Sequence, residues 1–400
     1  MNKFLILGAG PAGLSFACKL FQNGERNFVI LEAEHEAGGL CRSVEVDGSA
    51  LDIGGGHILD VRRPEVLKFL FLFMPREEWN YFTRDTAINL NGKLISHPFE
   101  ANIWQLDFDS QVEYLSSIAK AGCVTGKPKP EKFTDWIIWK LGEKIANDYM
   151  LPYNSKMFGS ELDNLGTYWL DKLPSVSFED TLRSCLEHQA HAQQPGHANF
   201  FYPVETGYGE LWRRMAKSLD GRIFYGRRVS SINFSSHVVI TSDDEEFSGK
   251  FIINTIPYKE FNELAGMPEN LRASINELKH TSVQIKYIPQ NLDTSAQWIY
   301  YPDLSLSYHR IFLRHNVLLG SKGIWTETHS ARIEAPDENF AYMNEYAYPL
   351  NTLNKPEIMK EILTFCRENN VFGLGRWGEH QHYNSDLTVE LAMKLADNFA

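Results

Sequence analysis

The chain has 400 residues, of which 43% are hydrophobic and 13% aromatic, enough to bury a large core and to build two or three domains. A formal net charge of −12 at pH 7 argues against nucleic acid as a partner, because neutralising phosphates takes clustered Lys and Arg. Cys18, Cys41, Cys123, Cys185 and Cys366 show neither a C-x-x-C pair nor ligand spacing, so they read as reduced thiols and no metal is expected. With no recognisable signal peptide, and with the most apolar run, Leu67 to Met74, far too short to span a bilayer, a cytoplasmic enzyme is expected.

Lys3 to Leu7 is an apolar run of strand length, followed at once by Gly8, Gly10 and Gly13 in G-x-G-x-x-G spacing and then by the helix-like Leu14 to Leu20. This is strand, tight turn, helix, with Gly10 bare so that a pyrophosphate can reach the main chain and the helix N-terminus offering free N–H groups to it. A second apolar strand, Asn27 to Leu31, ends in Glu32, placed to accept hydrogen bonds from an unphosphorylated ribose. Next come Gly38-Gly39-Leu40-Cys41-Arg42, a second glycine pair with a cation, and Gly54-Gly55-Gly56-His57, a stretch of main chain able to lie flat against a planar group. Three such segments in this order favour FAD over NAD as the cofactor.

Farther along, Pro64 to Met74 reads as a helix with an aromatic face. Thr86 to Ile95 reads as a hairpin, because Asn91-Gly92 separates alternating apolar positions, with Arg84 at its entry. From Gln111 to about Cys185 the pattern is helical. Phe133 to Ile138 is a capped start, and Pro152 is expected to close the helix ending near Met150. Phe200 to Pro203 and Thr206 to Trp212 return to strand, glycine turn and helix. Arg222 to Ile232 and His237 to Ile240 suggest a meander, and Lys250 to Ile256 a further apolar strand. Alternation at Val283, Ile285, Tyr287, Trp298 and Tyr300 predicts a second, antiparallel sheet over Thr281 to Arg314 and Ile324 to Ile333. Val371 to Trp377 then repeats strand and glycine turn, and Asp386 precedes a last amphipathic helix whose N-terminus would face the cofactor.

The expected fold class is α/β: a discontinuous Rossmann-type FAD-binding domain (1–103, 200–260 and 370–400), a helical insertion (104–199) and an antiparallel-sheet substrate domain (261–369). The chain resembles, end to end and in the same order, the UDP-galactopyranose mutase group within the superfamily of FAD-dependent amine oxidases and protoporphyrinogen oxidases. The resemblance rests on the glycine segments above, on Tyr81 to Arg84 with Pro98 to Ile103, and on Pro152-Tyr153-Asn154-Ser155-Lys156-Met157-Phe158. It continues through Trp298 to Pro302, Tyr308-His309-Arg310, Tyr348-Pro349 and Gly375-Arg376-Trp377-Gly378.

That resemblance implies a mutase interconverting pyranose and furanose forms of a nucleotide sugar through a reduced-flavin N5 adduct, in surface polysaccharide synthesis. It implies cofactor contacts at Gly8, Gly10, Ala12, Gly13, Glu32, Gly39, Leu40, Arg42, Gly55, Gly56, His57, Val229, Gly375, Arg376, Asn384 and Asp386. Catalytic roles would fall to His57, Arg310, Tyr300 and Tyr348, and substrate contacts to Arg84, Asn154, Lys156, Tyr300, Arg310, Tyr348 and His382. Two positions depart from the pattern: Leu151 stands where mutases carry a diphosphate-binding arginine, and His382 where they carry a tyrosine. An oxidoreductase of the amine oxidase or desaturase type, acting on a substrate that is not a nucleotide, therefore stays open, as does a flavin-bound protein without catalysis. A homo-oligomer is compatible with the sequence.

Overall fold

The computed structural model describes residues 2–170, 175–191, 198–219 and 221–399. At its centre lies a parallel sheet around strand Asn2–Leu7, flanked by Phe28–Leu31 on one side and Glu246–Asn254 on the other. Strands fully covered on both faces carry continuous apolar runs, and Phe4, Leu5, Ile6 and Leu7 are all buried completely. Val371–Gly373 adds parallel to Glu246–Asn254, so the last third of the chain returns to the sheet begun by the first. The Pro11–Gln22 and Ser385–Asp397 helices pack against each other over it. Phe399 brings its ring within 5.0 Å of Phe4 and 6.3 Å of Phe16, joining the two ends of the chain in one core.

The expected meander is divided. Ile223–Phe224 pairs parallel with Phe28–Leu31 at the sheet edge, and the antiparallel pairing runs from Val229–Asn233 through Val238–Thr241 to the start of Glu246–Asn254. Gly226, at a φ of 68°, lies between the two short runs and breaks the strand read there.

The second sheet runs, among the described residues, in the order Ala341–Pro349, His280–Ile288, Ile324–His329, Arg310–Phe312, Trp298–Tyr300, Thr86–Leu90, Lys93–Ser96. In His280–Ile288 every second side chain is buried, Thr281, Val283, Ile285 and Tyr287, which is the alternation visible in the sequence. Its edge strand Ala341–Pro349 was not anticipated, and the Thr86–Ser96 hairpin extends this sheet through a parallel pairing with Trp298–Tyr300.

The helical segment holds one clear correction. Pro152 does not close a helix; the break lies at Gly142, whose φ of 76° leaves the helical region, and the chain then coils on through Ala146–Met150 into Leu151–Phe158. Pro152 sits in the first turn of that last helix, where its missing N–H costs little. Among the described residues no helix is long and apolar enough to cross a membrane, and no three His, Cys, Asp or Glu side chains gather as a metal site.

Candidate functional site

Two adjoining cavities lie where the carboxyl ends of the parallel strands meet the second sheet. The larger, about 400 Å³, is a groove lined by Gly8, Gly10, Ala12, Glu32, Gly39, Leu40 and Val229, together with His57 and Arg376. Gly8 turns the chain at a φ of 99°. A Cβ on Gly13 would stand 2.0 Å from the Gly8 carbonyl oxygen, so Gly13 serves helix-on-turn packing and does not line the groove. A Cβ on Gly10 would meet only the Gly39 Cα, at 3.8 Å, so the protein itself leaves that space open. The Glu32 carboxylate is buried and accepts from the Ala9 and Glu34 N–H groups at 2.7 and 2.9 Å, fixed toward the groove. These are the features a dinucleotide's pyrophosphate and ribose need, and the residues fit such a group.

Two predicted cofactor residues act differently, while Gly13 takes the helix-packing place that its position in the motif predicts. Arg42 spends its guanidinium on the Gly39 carbonyl, the Tyr342 hydroxyl at 2.8 Å and Glu34 at 3.3 Å, and does not line the groove. Gly375 is needed because a Cβ there would press to 2.7 Å from that of Ala12. Position in a glycine motif indicates close approach but does not say to what.

The smaller cavity, about 190 Å³, is bounded by Gly54 to Ile58 and by Arg84, Tyr300, Arg310, Tyr348, Arg376, His382, Asn384 and Asp386. The flat glycine run is held from behind by the protein. A Cβ on Gly54 would fall 1.8 Å from the Leu40 oxygen, and one on Gly56 would fall 2.6 Å from the Phe312 ring. Asp52 anchors the start of this run. It accepts from the Ser43 and Tyr202 hydroxyls at 2.5 and 2.9 Å and from the Tyr208 N–H at 3.1 Å, while burial raises its carboxyl to about 6.

His57 touches both cavities, its ring parallel to that of Tyr208 at 6.2 Å. Burial lowers its pKa, with the Arg376 charge adding to the effect, to about 4, so it is neutral at pH 7. Its Nδ1 lies 3.0 Å from the Gly55 carbonyl oxygen, which can only accept, so Nδ1 carries the proton and Nε2 keeps a lone pair.

Four donors ring the smaller cavity in two pairs. Arg84 Nη2 donates to the Tyr300 hydroxyl at 3.2 Å, and that oxygen accepts again from Trp298 Nε1 at 3.0 Å. Arg310 Nη2 donates to the Tyr348 hydroxyl at 3.3 Å. Each tyrosine oxygen is thus used as an acceptor, which leaves its own O–H to donate elsewhere. Arg376 donates to the Tyr383 and Ala347 carbonyls, its charge not paired with a carboxylate among the described residues. Asp60 and Asp386, the carboxylates on this wall, pair with Arg62 and Arg63.

Two predicted substrate residues are not brought to the cavity. Asn154 turns back to donate to the Met150 carbonyl at 2.7 Å, tying the Leu151–Phe158 helix to the turn before it. Lys156 is fully buried and donates to the Tyr301 and Asp303 carbonyls at 2.9 and 2.7 Å, bracing the loop behind Tyr300; burial lowers its pKa to about 8. Leu151 packs on the apolar cluster of the helical segment.

Sequence reading missed Glu327 and the strand bearing Tyr342, Tyr346 and Tyr348, and it gave Trp298 a strand position but no part in the site. Those three tyrosines recur at even spacing, a strand signal present in the sequence. Glu327 had no local signal. It becomes visible only when its strand, Ile324–His329, pairs with Arg310–Phe312 and sets the carboxylate opposite Arg310. Burial alone would push that carboxyl up, but Arg310 and His309 outweigh it and hold it down at about 2.

Comparison with known proteins finds that the family described as flavin containing amine oxidoreductase matches residues 11–287. Among solved structures, a reduced UDP-galactopyranose mutase superposes with a TM-score of 0.89 at 20% identity, covering 100% of this chain and 95% of its own. A CLA-producing fatty acid isomerase from P. acnes gives 0.67 at 14% identity, covering 100% and 98%. Putrescine oxidase bound to putrescine gives 0.62 at 14% identity, again covering 100% and 98%. At these identities the likeness is one of fold.

Proposed function

The chain belongs to the flavin containing amine oxidoreductase family, and from that premise we propose that it binds FAD non-covalently and interconverts the pyranose and furanose forms of a nucleotide sugar. In this reading the larger groove takes the adenosine and pyrophosphate. Gly10 leaves room for the phosphates, Glu32 accepts from the ribose, and the helix beginning at Pro11 turns its free N–H groups toward the negative charge. The Gly54 to His57 segment, rigid because Leu40 and Phe312 back it, would lie against the flavin ring.

The observation that carries the reading is the smaller cavity. Beside that segment stand the Arg84–Tyr300 and Arg310–Tyr348 pairs, each offering N–H and O–H donors of the kind that hold a diphosphate leaving group. Reduced flavin, when bound, supplies an electron-rich nitrogen to the anomeric carbon. The protein's part is to hold the diphosphate, to orient the sugar, and to keep His57 neutral with its Nε2 able to accept a proton.

The test is to incubate dithionite-reduced enzyme with UDP-galactose, UDP-N-acetylgalactosamine or dTDP-fucose and separate the ring isomers chromatographically. A mutase is redox-neutral, so conversion should occur only with reduced flavin and consume no oxidant. No conversion of any of the three, with anaerobic bleaching of the oxidised flavin by an amine or a hydroaromatic compound, would replace this reading by an oxidoreductase of the amine oxidase type.

A further inference from the structure

The guanidinium groups facing the smaller cavity are not equivalent. Arg310 is held by the buried Glu327 carboxylate through both Nε, at 3.0 Å, and Nη2. Its positive charge is therefore already answered inside the protein. Arg84 and Arg376 pair with no carboxylate among the described residues, but Arg376 spends Nε, Nη1 and Nη2 on the Tyr383 and Ala347 carbonyls, whereas Arg84 spends only Nε and Nη2, on the hydroxyls of Thr86 at 3.0 Å and Tyr300 at 3.2 Å. Its guanidinium also lies 5.0 Å from the centre of the Trp298 ring, which fixes its plane without neutralising it. A half-buried cation stacked on an aromatic face and lacking a counter-ion is a standing invitation to an anion. The Tyr300 O–H, freed because its oxygen accepts from both Arg84 and Trp298, completes a two-donor cradle at the same spot.

Position 151 supplies the complement. Leu151 packs into apolar surroundings on the Leu151–Phe158 helix and brings no charge to the cavity. We infer that Arg84, with Tyr300, is the principal anchor for an oxyanion group of the substrate in this protein, and that Arg310 has a secondary part because Glu327 holds its charge. This rests on the nucleotide-sugar reading only for the identity of the anion, a diphosphate; the anchor itself follows from the placement of the charges.

Calorimetric titration of the flavin-loaded protein with inorganic pyrophosphate, UDP and benzoate tests it without using turnover. Arg84→Gln should weaken pyrophosphate and UDP binding at least tenfold with the flavin absorbance spectrum unchanged, and Arg84→Lys, which keeps the charge but loses the planar fork, should fall between. If Arg84→Gln fails to hold flavin, Arg84→Lys alone must still weaken binding measurably. Affinities equal to the parent's in these variants, or a parent that binds none of the three anions, overturn the inference. Arg84-dependent binding of pyrophosphate without UDP, or of benzoate in place of both, upholds the anchor while removing the nucleotide sugar as its ligand.

Discussion

Arg310 and Glu327 face each other across two adjacent antiparallel strands, and the guanidinium closes on a carboxylate that is 1% exposed. The other carboxylate oxygen, Oε1, lies 3.4 Å from the Gly56 N–H and would stand 3.1 Å from any Cβ placed on Gly55. One acid thus joins the cavity's arginine to the backbone expected to carry the flavin.

Removing one partner of such a pair strands the other. Arg310→Ala should cost about 3 to 5 kcal/mol of stability in urea unfolding, because Glu327 would be left buried with only His309, 3.7 Å away, in place of the guanidinium. The double variant Arg310→Met/Glu327→Gln should recover most of that loss. A single variant as stable as the parent would mean that water or another cation reaches Glu327.

The two motif glycines should separate by phenotype. Gly10→Val has free space in the protein and should fold with its parent's stability yet take up no FAD on reconstitution, since the side chain fills the space meant for phosphate. Gly13→Ala drives a methyl against the Gly8 carbonyl and should lose stability before cofactor is added. Far-ultraviolet dichroism and flavin absorbance read the two outcomes. FAD uptake by Gly10→Val would remove the larger groove as the pyrophosphate site.

Acid should weaken the fold partly through His57. Its folded pKa of about 4 lies below the ordinary value of 6.5, so between these limits the unfolded chain binds a proton that the folded chain does not. This contribution is complete above pH 6.5 and is lost as pH falls toward 4, by up to about 1.4 kcal/mol per pH unit. Asp52, raised to about 6, acts in the opposite sense over an overlapping range, so the comparison must be with His57→Gln. The difference in unfolding free energy between parent and variant, followed from pH 7 to 5, should change in the parent's disfavour as pH drops. A constant difference would place the His57 proton equilibrium near its ordinary value.

Elements whose cause is local are legible in the order of residues alone. The Asn2–Leu7 strand, the turn at Gly8 to Gly13, the Thr86–Ser96 hairpin and the alternating His280–Ile288 strand all follow from apolar period and glycine placement within a few residues. The same local logic failed at Pro152, where a proline fits the first turn of a continuing coil, and at Arg42, whose neighbourhood to a glycine pair said nothing of Tyr342, 300 residues away. Which cations stay available was decided only by tertiary structure. Arg84, Arg310 and Arg376 are equal as letters, but the fold brings Glu327 to Arg310 by strand pairing, the Tyr383 and Ala347 carbonyls to Arg376, and no carboxylate among the described residues to Arg84. A charge's use depends on its counter-ion, and a counter-ion supplied by another strand, 17 residues along the chain and across the sheet, leaves no trace in local sequence.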